Sequence, residues 1–321
     1  MSHLNVDIEK PRYDQTTYEG RAKHFFITTN PLNVFKSEDE LNKAKQIVTN
    51  YRKGIMDPNL TEDQLWTAKQ IYDSAFHPET GEKMILFGRM SFQVPGNMVI
   101  TGGMLQFYKT WPGVLFWQWI NQTFNAVVNY TNRSGDSPIS TQRLATSYVL
   151  ATSGAISTAL FINKQVTNLP PIVGRLVPFA AVAAANCVNI PCMRSYELST
   201  GIAVTDENDN YIGHSTKAAK KAITQVTFSR ICMAIPGMTL PPLFMNYLEK
   251  KGMLSKRPWV GLPIQIFLSG LMLTFATPLG CALFPQRSCI SFDKLEPELQ
   301  KSVTDKLRGP IPKRLYYNKG L

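Results

Sequence analysis

The sequence predicts an all-α, multi-spanning helical membrane protein of about five transmembrane helices with a helical N-terminal region, and three observations predict it. Several windows of bilayer length in the middle of the chain carry almost no charged side chains. Trp, Tyr, Lys and Arg cluster near the ends of those windows, as they do at membrane interfaces. Residues 1–95 and 286–321 are polar and charged, so the mean hydropathy of −0.12 averages over two unlike kinds of sequence. The chain divides accordingly into a soluble, mostly helical N-terminal region (1–95), a transmembrane helical bundle (96–285) and a polar C-terminal tail (286–321).

The N-terminal region begins irregularly, up to about Asn30-Pro31-Leu32-Asn33. From residue 38 to 55 the apolar positions Leu41, Ala44, Val48, Tyr51 and Ile55 recur every three or four residues and share one helical face. Asp57-Pro58 ends that helix, because proline disfavours helical geometry in the residue before it. Thr61 stands three residues before Gln64, the capping-box spacing, and opens a second helix with Leu65, Ala68, Tyr72 and Ala75 inside. The two helices are expected to pack as a hairpin. The segment from Phe76 to Lys83, with Pro78 and Gly81, reads as a surface loop.

An apolar region over residues 98–128 follows, interrupted only by Lys109 and the breaker Trp111-Pro112-Gly113, and it counts as one span. Four further spans are expected at residues 144–162, 176–193, 226–248 and 262–284, of which only the third contains a charge, Arg230. The segments between them, 129–143, 163–175, 194–225 and 249–261, collect the turn formers and charges and read as loops. Five spans put the termini on opposite sides, and basic residues divide too evenly between the sides to fix the orientation.

Within the spans, polar groups mark the positions where chemistry could reside. Asn186 and Asn189 lie at span depth just before Pro191, which lacks an N–H and so frees a carbonyl one turn earlier. These groups could line a polar cavity or hydrogen-bond between helices and hold the bundle together. Arg230 could snorkel to the interface or, facing inward, hold a carboxylate with its planar fork. Pro236-Gly237 and Pro241-Pro242 interrupt the same helix, as the helices around midplane sites of transporters are interrupted. Asn97, Thr101, Gln118, Asn121, Gln122 and Asn125 give the first span a polar side. The candidate substrate-binding set is therefore Asn186, Asn189, Arg230, Asn97 and Thr101.

Other chemistries find little support. With 34 Lys and Arg against 23 Asp and Glu the net charge is +11. The basic residues are spread without a single aromatic-interleaved face, which favours a lipid surface and no nucleic acid. The five cysteines form no C-x-x-C pair, and His77 with Glu79 and Glu82 is an ordinary solvated turn, so no metal and no cofactor is expected. No nucleophile motif or phosphate-cradling loop argues for an enzyme. The first twenty residues contain four acids and no apolar core, unlike a secretory signal or a cleavable presequence.

Several blocks give the chain a further character: Tyr18-Glu19-Gly20-Arg21, His77-Pro78-Glu79-Thr80-Gly81-Glu82-Lys83, Leu115-Phe116-Trp117-Gln118-Trp119-Ile120-Asn121-Gln122, Val177-Pro178-Phe179-Ala180 through Ile190-Pro191, Val204-Thr205-Asp206-Glu207-Asn208 and Ala276-Thr277-Pro278-Leu279. In these the sequence resembles the sideroflexin family along nearly its whole length. It departs from the family pattern at Glu79, where Asp is usual, and at Gly96, where vertebrate relatives often carry Met. The resemblance implies a multi-pass carrier of the mitochondrial inner membrane, inserted without a cleaved presequence, that imports serine for one-carbon metabolism, with alanine and cysteine as further substrates. It supplies no substrate-binding residues. The expected partners are a small-molecule substrate, the lipid bilayer and protein partners of the N-terminal helices. The alternative reading is a non-transporting inner-membrane scaffold or assembly factor affecting iron and haem homeostasis.

Overall fold

The computed structural model describes residues 6–55, 58–77, 80–132, 141–165, 171–256, 258–306 and 313–320. Its helices are α1 (Tyr18–Thr28), α2 (Glu38–Arg52), α3 (Glu62–Ala75), α4 (Gln93–Gln106), α5 (Trp111–Thr131), α6 (Thr141–Gln165), α7 (Pro171–Arg175), α8 (Val177–Met193) and α9 (Ser195–Thr200). Strands β1 (Ile202–Thr205) and β2 (Tyr211–Ser215) precede α10 (Thr216–Lys250), α11 (Met253–Lys256) and α12 (Gly261–Cys281). Strand β3 (Arg287–Ser291), α13 (Pro297–Lys306) and β4 (Arg314–Asn318) complete the described chain.

The N-terminal hairpin forms as its periodicity requires. Ser37 and Thr61 each accept from the backbone N–H three residues on, and Glu40 and Gln64 reach back to complete both capping boxes. Leu41, Ala44 and Val48 of α2 interlock with Leu65, Ala68, Tyr72 and Ala75 of α3 in one buried cluster. The break at Asp57-Pro58 falls partly, and the Pro78-Glu79 portion of the surface loop wholly, outside the described residues. The stretch read as irregular contains α1, capped by Thr17. Its inward stripe includes Arg21, which hides the helical periodicity; Arg21 Nε donates to the Ala282 carbonyl at 2.8 Å and ties α1 to the end of α12.

Among the described residues, four helical segments are long and apolar enough to cross a membrane: Ala145–Ile162, Val173–Met193, Thr216–Lys250 and Pro258–Cys281. They overlap the four uncharged or nearly uncharged windows expected at residues 144–162, 176–193, 226–248 and 262–284. Large apolar side chains such as Val149, Phe161, Phe228, Phe267 and Phe275 point outward from these helices, as surfaces bathed in hydrocarbon do.

The region counted as one span at 98–128 is instead two helices. The chain turns at 107–110, and Pro112 sits in the first turn of α5, where its missing N–H costs nothing, so it starts a helix rather than kinking one. At 14 residues α4 is about 21 Å long, short of a hydrocarbon core of about 30 Å. Helix α5 has 21 residues but carries five side-chain amides, Gln118, Asn121, Gln122, Asn125 and Asn129.

Helix α12 packs between α4 and α10, α8 lies between α6 and α10, and α5 bridges α4 and α6. Close approach depends on small residues: a Cβ on Gly102 of α4 would stand 3.0 Å from the Ile266 backbone of α12. Helix α10 contains Pro236, Pro241 and Pro242. Pro241 cannot donate to the Gly237 carbonyl, and Ser269 Oγ of α12 donates to that oxygen instead, at 3.3 Å.

The segment 194–225, read as a loop, and the C-terminal tail meet in a four-stranded antiparallel sheet of order β2-β1-β4-β3. Its inner face buries Val204, Ile290, Leu315 and Tyr317 against Ala218 and Ala222 at the start of α10. The sheet therefore stands at one end of the longest helix of the bundle.

Candidate functional site

A cavity of about 400 Å³ lies inside the bundle between α4, α5, α8, α10 and α12. Each helix contributes a polar residue to it: Asn97 and Thr101 from α4, Asn121, Asn125 and Asn129 from α5, Asn186 and Asn189 from α8, Ser229 and Arg230 from α10, and Thr277 from α12. All five residues singled out in the sequence, Asn97, Thr101, Asn186, Asn189 and Arg230, face this one space. Gln118 and Gln122, on the same polar side of the sequence, are buried but do not line it. Apolar side chains of Met104, Val128 and Met238 complete the wall and join a buried cluster behind it.

The local structure explains why amides reach the cavity. Asn186 and Asn189 stand three apart on α8, so both side chains share a face. The small residues Ala181 and Ala185, one turn apart on that helix, are buried and let it approach its neighbours closely. Neither Asn186 nor Asn189 forms a side-chain hydrogen bond among the described residues. Asn97 is held, its Nδ2 donating to the Gln93 carbonyl at 2.8 Å. Around the same wall the buried donors Gln93 Nε2 and Asn121 Nδ2 and the hydroxyl of Ser229 have no hydrogen-bond partner among the described residues. Buried polar atoms are costly when unpaired, and these three belong to residues that line the cavity.

One end of the cavity is cationic. Arg230 is half-buried, with its free surface turned into the cavity, and it makes no hydrogen bond or ion pair among the described residues. Lys319, just after β4, is 2% exposed and also lines the cavity. Arg194, at the end of α8, is engaged on both sides: its Nε donates to Glu197 at 2.9 Å and its Nη1 to the Lys319 carbonyl at 2.8 Å.

Lys319, Arg194, Glu197, Gln93 and Ser229 were not picked out from the sequence. Leu315, Tyr317 and Lys319 are buried in alternation, the period of a strand with one covered face, which points the lysine inward. The expected solvated turn at His77 and Glu82 remains a turn, with His77 N–H donating to the Glu82 carbonyl at 2.8 Å. Among the described residues no group of three or more His, Cys, Asp or Glu is placed to hold a metal ion.

A family model described as Sideroflexins matches residues 7–321. Sideroflexin-1 of Sus scrofa is 59% identical over 317 residues, covering 99% of this chain and 98% of its own length. Sideroflexin-3 of Mus musculus is 59% identical over 318 residues with the same shares, and Sideroflexin-1 of Homo sapiens is 59% identical over 317. No solved structure matches the chain.

Proposed function

Because this chain belongs to the sideroflexin family, we propose that it carries a small neutral amino acid, serine before others, across the mitochondrial inner membrane to supply one-carbon metabolism. Alanine and cysteine are further substrates in this reading. The single observation that carries it is the amide-lined cavity with an unpaired arginine at its end, walled by the membrane-length segments of α8, α10 and α12 together with α4 and α5. At about 400 Å³ the space falls in the range of small-ligand sites.

The roles follow from chemistry. The guanidinium of Arg230 meets the carboxylate of the substrate, since its planar fork matches two oxygens. Asn186 and Asn189 offer both donors and acceptors, which suit an ammonium and a hydroxyl together. Asn97 and Thr101 face them across the cavity from α4. The cavity wall carries no free carboxylate among the described residues, Glu197 being paired with Arg194. A neutral zwitterion therefore meets amide oxygens at its ammonium end.

The test is uptake of labelled serine into liposomes holding the purified protein, beside empty liposomes and an Asn186→Ala variant. Saturable uptake in wild type, reduced at least about tenfold in the variant by loss of a buried polar contact, is expected. A variant that inserts normally and transports at the wild-type rate removes Asn186 from the site. No uptake by correctly inserted wild type turns the assignment to a scaffold.

A further inference from the structure

The cationic end of the cavity holds more positive charge than one carboxylate needs. Arg230 comes from α10, inside the bundle. Lys319 comes from the sheet at its end, and four interactions fix it there. Its N–H donates to the Gln286 carbonyl at 2.8 Å, and its carbonyl accepts from Arg194. Asn318 beside it pairs with Arg287 in the β3–β4 ladder. Two residues back, Tyr317 Oη donates to Gln225 Oε1 of α10 at 3.2 Å. The backbone is thereby clamped while the ammonium itself has no hydrogen bond or ion pair among the described residues.

A buried lysine without a partner is a costly arrangement. Burial holds the Lys319 ammonium below its ordinary range; the Cys281 thiol opposes this, and Arg194, Arg230 and Arg21 reinforce it by repulsion. The remaining charges facing it offer little relief. Glu197 is spent on Arg194, and Arg21 donates to the carbonyls of Gln15, Thr16 and Ala282. Two unpaired cations thus converge on one end of a polar cavity, with no carboxylate available to either.

We propose that Lys319 and Arg230 together form an anion-binding subsite, closing the cavity where the C-terminal sheet meets the bundle and taking a small anion of carboxylate or halide size. Two sources supply that chemistry: the carboxylate of the transported amino acid, or a free inorganic anion bound beside it. The first source rests on the carrier reading; the second does not. Either way the sheet is part of the binding site, and Lys319 contacts the ligand directly.

The experiment uses the full-length protein in detergent. Thermal unfolding is followed in sodium acetate and in sodium chloride, each against a bulky sulfonate salt at the same ionic strength. Acetate or chloride is expected to raise Tm saturably in wild type. Removing one charge-assisted hydrogen bond should weaken the apparent anion affinity about 10- to 100-fold in Lys319→Gln and in Arg230→Gln, while Lys319→Arg keeps it. Lys319→Met, apolar and of similar length, guards against a glutamine that the buried position rejects, and it too should lose the anion response.

Serine binding in the two salts then separates the sources. Chloride that competes with serine assigns the subsite to the substrate carboxylate, and chloride that tightens serine assigns it to a co-bound anion. No anion response in wild type, or an equal response in wild type and all charge-removing variants, overturns the proposal. Anion responses that persist where no serine is bound or transported leave the subsite standing and overturn the carrier reading instead.

Discussion

Glu296 is expected to fasten the C-terminal sheet to the helix that carries Arg230. It lies just ahead of α13, and its carboxylate accepts three hydrogen bonds from the start of α10: from Ser215 Oγ at 2.9 Å, from Thr216 Oγ1 at 2.7 Å and from the Lys217 N–H at 2.7 Å. Partial burial alone would raise its pKa, but these donors outweigh burial and bring it from 4.5 down to about 2. At full value that difference corresponds to about 3 kcal/mol of stability at neutral pH, and solvent screening of a partly exposed group reduces it to about 1–2 kcal/mol. Glu296→Gln keeps the volume and removes the charge, so the apparent Tm at pH 7 should fall by about 2–4 °C. Because the folded pKa is depressed, the contribution is complete above the unfolded value of about 4.5 and is lost as pH falls through the folded value. The gap between wild type and variant should therefore shrink by about half near pH 3. Thermal unfolding of both proteins in detergent from pH 7 to pH 3 reads this directly. Equal Tm values at pH 7, or a gap that does not narrow with acid, would refute the reasoning.

Two further outcomes follow from the packing. Gly102→Val places a branched side chain where a Cβ alone would stand 2.6 Å from Ile266 Cγ1 and 3.0 Å from its backbone. It should destabilise the α4–α12 contact by about 1–3 kcal/mol, and an unchanged Tm in detergent would show that the two helices can separate without cost. Thr61→Ala removes the side-chain acceptor for the Gln64 N–H and should cost about 1 kcal/mol. Amide exchange in the first turn of α3 should then quicken about fivefold, and unchanged exchange would show that the cap contributes nothing.

How much of this architecture could be read in advance depended on whether one period ruled a segment. In α2 and α3 a single apolar face and two capping boxes agree, and both helices appear as the pattern requires. The four later windows, charge-free but for Arg230, likewise coincide with most of α6, α8, α10 and α12. Mixed signals did worse. In α1 the buried stripe passes through Gly20, Arg21, Ala22 and Phe25, so a charge sits where an apolar residue was sought. Between α4 and α5 only Lys109 and the breaker Trp111-Pro112-Gly113 interrupt the apolar run, and they record that the chain has turned and begun again. The sheet was lost for a different reason: its strands are four or five residues long, and the two hairpins that form it are separated by the whole of α10 and α12. β1 and β2 pair locally across residues 206–210, but the pairing of β1 with β4 spans α10 and α12 and leaves no local trace.

The candidate site divides along the same line. Amides and an arginine stand out in a span because hydrocarbon penalises them, so Asn97, Thr101, Asn186, Asn189 and Arg230 could be named from sequence, and all five face one cavity. That penalty is invisible in a polar tail. Lys319 is one of 34 basic residues and sits among charged neighbours such as Lys313 and Arg314, yet it is buried while they are exposed. What distinguishes it is register: with Leu315 and Tyr317 it follows the covered face of β4, and Arg194 fixes the backbone at that point. Arg194 ends α8, the helix of Asn186 and Asn189, and holds the segment of Lys319, while Gln225 and Glu296 bind the sheet to α10 and Arg230. Amide wall and cationic end are thus joined through the sheet. Separating α8, the sheet and the first turns of α10 from one another therefore means breaking the Arg194 clamp or the Glu296 and Gln225 contacts.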